Sequence, residues 1–251
     1  MKPLIIGVAG KANAGKDTTG SMILYHFLKG NTGSYADWLT NRVKFENEQR
    51  IRVKHFADDL KEVVSNMFNI TVAQCNDRKY KDERYYCIEN GRFYEENEIN
   101  RPDFVNITEE KLQFEHIADI RNRNINAHHV IKLRTLIQYI GTDICRNFID
   151  YSIWTRNTLL KARKVARLYD ICVITDVRFE NEAAAIQHDP LYGGLIKINR
   201  DNVISSNHKS EQIDFDCEYT IDNNGTLMNL FYKTMELTQV IKDKYKDTTW
   251  N

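Results

Sequence analysis

The run LIIGVAGKANAGKDTTG (4–20) constrains the fold more than any other part of the chain. Its first part, LIIGVA (4–9), is a near-continuous apolar stretch, the pattern of a strand buried on both faces of a helix-covered parallel sheet. A glycine-rich turn follows, and then a helical pattern from Lys16 to about Leu28. Gly10 and Gly15 leave the main chain free to turn its N–H groups inward. The helix that opens at Lys16 adds a partial positive charge at its start, and Lys16 adds a full one. A strand, G-x-x-x-x-G-K and a helix in that order form a phosphate-binding loop. One letter departs from the usual pattern. A Ser or Thr normally follows the lysine and holds magnesium, whereas here Asp17 stands there and the threonines come at Thr18 and Thr19.

The rest of the chain repeats the theme of strands and helices. Strand-like runs are expected at 52–56, 171–175 (ICVIT), 195–199 and 218–221. Helical patterns cover 58–68, with Leu60, Val63, Val64, Met67 and Phe68 on one side, and then 129–148, 151–168, 181–187 and 226–246. Alternating strands and helices indicate an α/β fold with a parallel sheet. Residues 70–126 differ, being rich in Asn, Glu, Tyr and Arg. Within them Asn90-Gly91 in YYCIENGRFYEE marks a hairpin turn. That section reads as an insertion or lid beside one domain spanning 1–251.

Bulk properties exclude several classes. Lys plus Arg and Asp plus Glu number 35 each, so no global field draws the chain to nucleic acid or an anionic membrane. The five cysteines have no C-x-x-C pair, which implies reduced thiols in a cytoplasmic protein rather than a metal site. No signal peptide and no membrane-spanning run is expected. His128 and His129 read as surface histidines, because adjacent helical residues do not share a face. The basic run RNTLLKARKVAR (156–167) reads as an amphipathic helix with a cationic solvent face.

A nucleotide site with a phosphate loop needs a carboxylate at the end of another apolar strand, near magnesium. Asp176 follows the run ICVIT, and Arg178 and Glu182 lie on the same turn. Asp176 also suits a helix N-cap, a role compatible with metal binding. Asp17 could bind the metal, a metal-bound water, or only the helix start, while Thr18 could contact a phosphate; spacing leaves these open. Asn223, Asn224, Gly225 and Thr226 form a turn after a strand, and Arg200 follows another. Both suit an adenine site or plain turn chemistry.

These residues resemble the deoxynucleoside monophosphate kinases of bacteriophages. The likeness is carried by Gly15-Lys16-Asp17-Thr18, FADDLKEVV (56–64), LRTLIQYIGTDICRNF (133–148), Trp154, TDVRFENE (175–182), NHKSE (207–211) and IDNNGTL (221–227). The resemblance implies a P-loop NTPase fold of the nucleoside monophosphate kinase type, with a five-stranded parallel sheet and a substrate-covering insertion. It implies ATP as phosphoryl donor, Mg2+ as cofactor, a deoxynucleoside monophosphate as acceptor, and a homodimer as one assembly. In a viral source the site of action would be the host cytoplasm. Gly10, Ala14, Gly15, Lys16, Asp17 and Thr18 would form the phosphate loop. Arg134, Gln138, Gly141 and Thr142 would line the acceptor site, with Trp154 nearby. Asp176, Arg178 and Glu182 match the D-x-R-x-x-x-E pattern at the active centre. Thr135 stands where relatives can carry a basic residue.

Bringing two anionic nucleotide ends together calls for arginines. The candidates are Arg78, Arg84, Arg134 and Arg178, of which Arg78 and Arg84 equally suit a solvated loop. Two rival functions are another small-molecule P-loop kinase, such as phosphomevalonate kinase, and a nucleic-acid-dependent NTPase. Neutral charge and the lack of a nucleic-acid motif argue against the second.

Overall fold

The computed structural model describes residues 2–201, 213 and 215–246. Among them are nine strands: β1 (Leu4–Gly10), β2 (Val53–Lys54), β3 (Arg84–Cys87), β4 (Phe93–Glu95), β5 (Phe104–Ile107), β6 (His128–Lys132), β7 (Ile171–Val177), β8 (Tyr192–Asn199) and β9 (Tyr219–Asp222). The chain divides into two units, one made of the residues up to Phe56 and from Thr155 onward, the other of Ala57–Trp154. The NHKSE motif at 207–211 lies outside the described residues.

The first unit is built on a five-stranded sheet in the order β2-β7-β1-β8-β9, with every pairing parallel. β1 is buried along its whole length because both faces are covered. Leu4, Ile6 and Val8 pack with Met22, Ile23, Trp38 and Phe231 on one face. Ile5 and Ala9 pack with Leu159, Ala162 and Ile186 on the other. Burying each such Leu or Ile contributes about 1.5–3 kcal/mol, which is why the run lacks polar alternation. The terminal helix Leu227–Tyr245 closes the first face through Leu230, Phe231 and Ile241. Because the strands are parallel, the ends of β1, β7, β8 and β9 share one carboxyl edge, where open α/β sheets bind ligands.

The second unit holds a four-stranded sheet in the order β4-β3-β6-β5. β3 pairs antiparallel with β4 and β6, and β5 pairs parallel with β6. The expected hairpin joins β3 to β4, with Gly91 at φ 70°. Leu60, Val64, Ile107, Ile131, Leu133 and Trp154 form this unit's core.

Three local expectations change. Residues 129–148 are not one helix: β6 comes first, then the α-helix Leu133–Gln138 and π-helical turns over Tyr139–Ile149. The β-branched pair Val130-Ile131 is buried and flanked by strands on both sides, and that tertiary pairing overrides the helical spacing. His129 is accordingly buried at 1% exposure rather than at the surface. In the helix Asp58–Phe68, Leu60 and Val64 are buried, but Val63 and Met67 are 40% and 62% exposed, so the apolar stripe is narrower than read.

Candidate active site

The loop helix Lys16–Lys29 starts from Gly15 at φ 99°, a backbone state that strains any residue with a Cβ. A Cβ there would also lie 2.6 Å from Asn223 Nδ2. Asn223 ties three segments together: its Nδ2 donates to Ala14 O at 2.8 Å and its N–H to Asn199 O at 2.7 Å. Arg200 Nη1 donates to Asn13 O at 3.4 Å. Asn224 accepts from the Asp201 N–H at 2.7 Å and donates to the Asp201 carboxylate at 2.8 Å. Gly225 leads into Thr226, which caps the terminal helix. The ends of β8 and β9 thus brace the phosphate loop from one side.

Lys16 is buried, and its Nζ donates to the carbonyls of Gly10 and Lys11, both at 2.8 Å. The ammonium is folded back over the loop rather than extended into solvent. Thr18 Oγ1 accepts from Arg42 Nη2 at 3.3 Å. Thr19 is fully buried, and its hydroxyl donates to Gly15 O of its own helix at 3.0 Å.

Asp17 is exposed and held by two side chains. Thr175 Oγ1 donates to its Oδ1 at 2.6 Å, and His55 Nε2 lies 3.4 Å from the same oxygen. The His55 hydrogen bond is the largest influence on its carboxyl; the partial loss of water around it opposes that shift, Thr175 and Lys16 reinforce it, and the pKa falls to about 2. Gly20 makes the contact possible. A Cβ at that position would sit 2.4 Å from Thr175 Cγ2, so the bare glycine lets the helix lie close on β7.

β7 runs through Asp176 to Val177, slightly beyond the expected strand. Asp176 Oδ1 accepts from the Phe56 N–H at 2.9 Å, which fixes the carboxylate at the sheet edge beside the loop. Glu182 is 1% exposed, and its Oε2 accepts from the N–H groups of Arg178 at 2.9 Å and Phe179 at 3.2 Å. It satisfies orphan donors at the start of the helix Glu180–Gln187, where a carboxylate is favoured by the helix dipole. Arg178 is half-buried on the same turn.

In the second unit Arg134 makes a two-pronged pair with Asp82, through Nε to Oδ1 and through Nη2 to Oδ2 at 2.9 Å. The pair holds the Asp82 carboxyl below its ordinary range, with Lys132 and Arg78 adding to the effect. Burial, then Arg134 and Lys61, push the Lys81 ammonium down. Four cations, Arg134, Lys132, Arg78 and Lys81, therefore act on one carboxylate here. Arg84 instead pairs with Glu95 at 2.8 Å across β3 and β4. Gln138 and Thr142 are exposed, and Trp154 is buried with its Nε1 donating to Gly141 O at 3.0 Å.

His55, Thr175, Arg42, Lys81 and Asp82 escaped the sequence reading. Thr175 opens the motif TDVRFENE, and Lys81 and Asp82 lie in the run RKYKDER between the two candidate arginines at 78 and 84, whereas His55 and Arg42 carry no local signal.

A sequence profile described as deoxynucleotide monophosphate kinase matches residues 4–235. The chain belongs to the deoxynucleotide monophosphate kinase family. Within this family it is 22% identical over 227 residues to the deoxynucleoside-5'-monophosphate kinase of Escherichia phage T5, covering 83% of this chain and 84% of the phage protein. It is 34% identical over 93 residues to a protein of Acanthamoeba polyphaga mimivirus provisionally named for the same activity. That second match covers 31% of this chain and 45% of the mimivirus protein, so it spans less than half that relative's length. The deoxynucleotide monophosphate kinases are phosphotransferases. The five-stranded parallel sheet, with a glycine loop ending a strand inside it, is the P-loop kinase-like architecture such chemistry uses. Among the described residues no helix is long and apolar enough to cross a membrane.

Proposed function

We propose that this chain transfers the γ-phosphoryl group of ATP to the 5′-phosphate of a deoxynucleoside monophosphate, giving a diphosphate and ADP. The observation that carries the reading is the hydrogen bond tying Asp17, next to Lys16 in the loop helix, to Thr175, the residue before Asp176 in β7. An acceptor phosphate oxygen forms the new P–O bond as the bond to the bridging β–γ oxygen breaks, with the electrons leaving on ADP. Little covalent help from the protein is needed; positioning and charge neutralisation carry the barrier.

In this reading Gly10, Ala14, Gly15, Lys16 and Thr18 cradle the donor phosphates, with Arg200, Asn224 and Gly225 toward the adenine. Asp17 and Asp176 offer hard carboxylate oxygens that suit Mg2+, and Asp17 stays ionised at any physiological pH. The metal would supply charge neutralisation on the phosphates. The acceptor belongs to the second unit, where Arg134 and its neighbouring cations Lys81, Lys61 and Arg78 match a phosphate dianion. Arg178 and Glu182 are assigned to the active centre, with Glu182 acting through the turn it caps. A homodimer is a separate proposal, tested by sedimentation.

A coupled assay across the four dNMPs, the matching NMPs and phosphomevalonate tests the function. Turnover of at least one dNMP is expected, and Lys16→Ala should abolish it. Absence of turnover with every dNMP would overturn the reading, and turnover of phosphomevalonate instead would install its rival.

A further inference from the structure

We propose that Cys87, Glu89 and His128 form a binding site for a zinc-class divalent cation in the second unit. One ligating atom from each residue lies within 4.8 Å of the other two. The three sit on two paired strands and the loop that follows the first. Cys87 ends β3, Glu89 lies in the hairpin loop after it, and His128 opens β6. β3 and β6 are paired there, with Cys87 opposite Val130 and the Ile88 N–H donating to His129 O at 2.9 Å.

The donor set selects the ion. One thiol sulfur, one imidazole nitrogen and one carboxylate oxygen suit a borderline-soft cation such as Zn2+ and do not suit Mg2+ or Ca2+. Ligand atoms around a tetrahedral zinc stand roughly 3.3–3.8 Å apart, given bonds of about 2.0–2.3 Å. The Cys87 Sγ to Glu89 Oε2 separation is already 3.7 Å. Closing the third corner takes a side-chain movement of about 1 Å.

The surroundings are those of a prepared ligand set. Cys87 is fully buried. His128 Nδ1 is buried and has no hydrogen-bond partner among the described residues, and its ring is held against Phe104 at a centroid distance of 5.2 Å. Glu89 is oriented by three outer donors, the His129 N–H at 2.7 Å, His129 Nδ1 at 3.0 Å and Arg121 Nε at 3.2 Å. Such outer-shell bonds to a ligating carboxylate are a regular part of metal sites. The weak S–H···O contact between Cys87 and Glu89 is the one a cation would replace. The thiol proton leaves to solvent, and thiolate and carboxylate together neutralise the ion's two positive charges. Water completes the fourth position. The bound ion would clamp the β3–β4 hairpin to β6, independently of the kinase reading.

Titrating the metal-free full chain with Co2+ tests this. A thiolate-to-cobalt charge-transfer absorption saturating at one ion per chain is expected, with release of about one proton per Co2+ bound, and Zn2+ should abolish the band by displacing the cobalt without further proton release. This signature separates the site from any binding to Asp17 and Asp176, which have no sulfur. His128→Asn and Glu89→Gln should each weaken Zn2+ binding by about 10- to 100-fold. Cys87→Ser should remove the absorption, and Cys217→Ser should leave it intact. Bound Zn2+ should protect Cys87 of the unaltered chain from alkylation, a readout that needs no variant to fold. The proposal is overturned if stoichiometric Co2+ gives no charge-transfer band, if Cys217→Ser removes it, or if Zn2+ leaves Cys87 alkylation unchanged.

Discussion

Thr175 donates its hydroxyl hydrogen to Asp17 Oδ1 across 2.6 Å, joining the first turn of the loop helix to the end of β7. The next residue along β7 is Asp176, itself fixed by the Phe56 N–H. One strand therefore orients Asp17 and supplies Asp176, the two carboxylates proposed for the donor site. The aspartate that replaces the usual hydroxyl residue after Lys16 is a positioned group, not a gap in the motif.

Thr175→Val keeps the shape of a fully buried side chain while removing the donor. Turnover should fall about 10- to 100-fold, chiefly through a higher Mg2+ requirement, with nucleotide affinity little changed. Thr175→Ser should recover most of the loss. Magnesium titrations of initial rate check this, and identical curves for wild type and Thr175→Val would sink it.

Gly20→Ala places a Cβ against Thr175 Cγ2, in a contact built for none. Overpacking of this kind costs about 1–3 kcal/mol, and lifting the helix from β7 should raise the Mg2+ requirement as well. Thermal unfolding and the same magnesium titration read the two effects. A stable variant with an unchanged magnesium midpoint would separate helix packing from the Asp17 geometry.

Asp82 occupies both prongs of Arg134 in the way a phosphate would. The pair is partly exposed, so it is worth about 0.2–1 kcal/mol. Asp82→Asn should therefore lower the dNMP KM by about two- to fivefold, while Arg134→Lys, which loses the planar fork, should raise it. A higher KM in Asp82→Asn would mean that the carboxylate holds Arg134 in place for the acceptor instead of competing with it.

His26 is 2% exposed, its Nε2 donates to Phe231 O at 3.0 Å, and its ring meets Phe231 at a centroid distance of 4.4 Å. Burial lowers its pKa from 6.5 to about 4; the Phe231 carbonyl opposes that shift and Lys242 adds to it. The unfolded chain thus takes up this proton at a higher pH than the folded one. Its contribution is complete above about pH 6.5 and is lost as the pH falls toward 4. His26→Gln should flatten the decline of Tm across that window relative to wild type. Parallel Tm curves would rule out His26 as the source of the acid sensitivity.

Legibility followed the range of the interactions. β1, the glycine turn, Lys16 and Asp176 were readable because burial on both faces and turn geometry are written in consecutive residues. The β6 segment has local spacing that suits a helix equally well, because the partners that make it a strand, β3 and β5, are distant in the chain. Glu182 stands out in the D-x-R-x-x-x-E pattern, yet its role as a cap appears only once its oxygen meets the N–H groups of Arg178 and Phe179.

The sequence by itself determined a parallel α/β sheet, a phosphate loop at the end of a buried strand, and a second carboxylate on another strand. Local backbone preference and continuous burial are enough to specify those features. Only the tertiary structure decided what holds Asp17, since Thr175 and His55 reach it from other strands or loops. It alone brought Asp82 to Arg134 and gathered Cys87, Glu89 and His128 at one end of the β3–β6 strand pair. Charge pairing and metal-ligand geometry depend on distances of a few ångströms between residues far apart in the chain, and spacing along the sequence does not encode them.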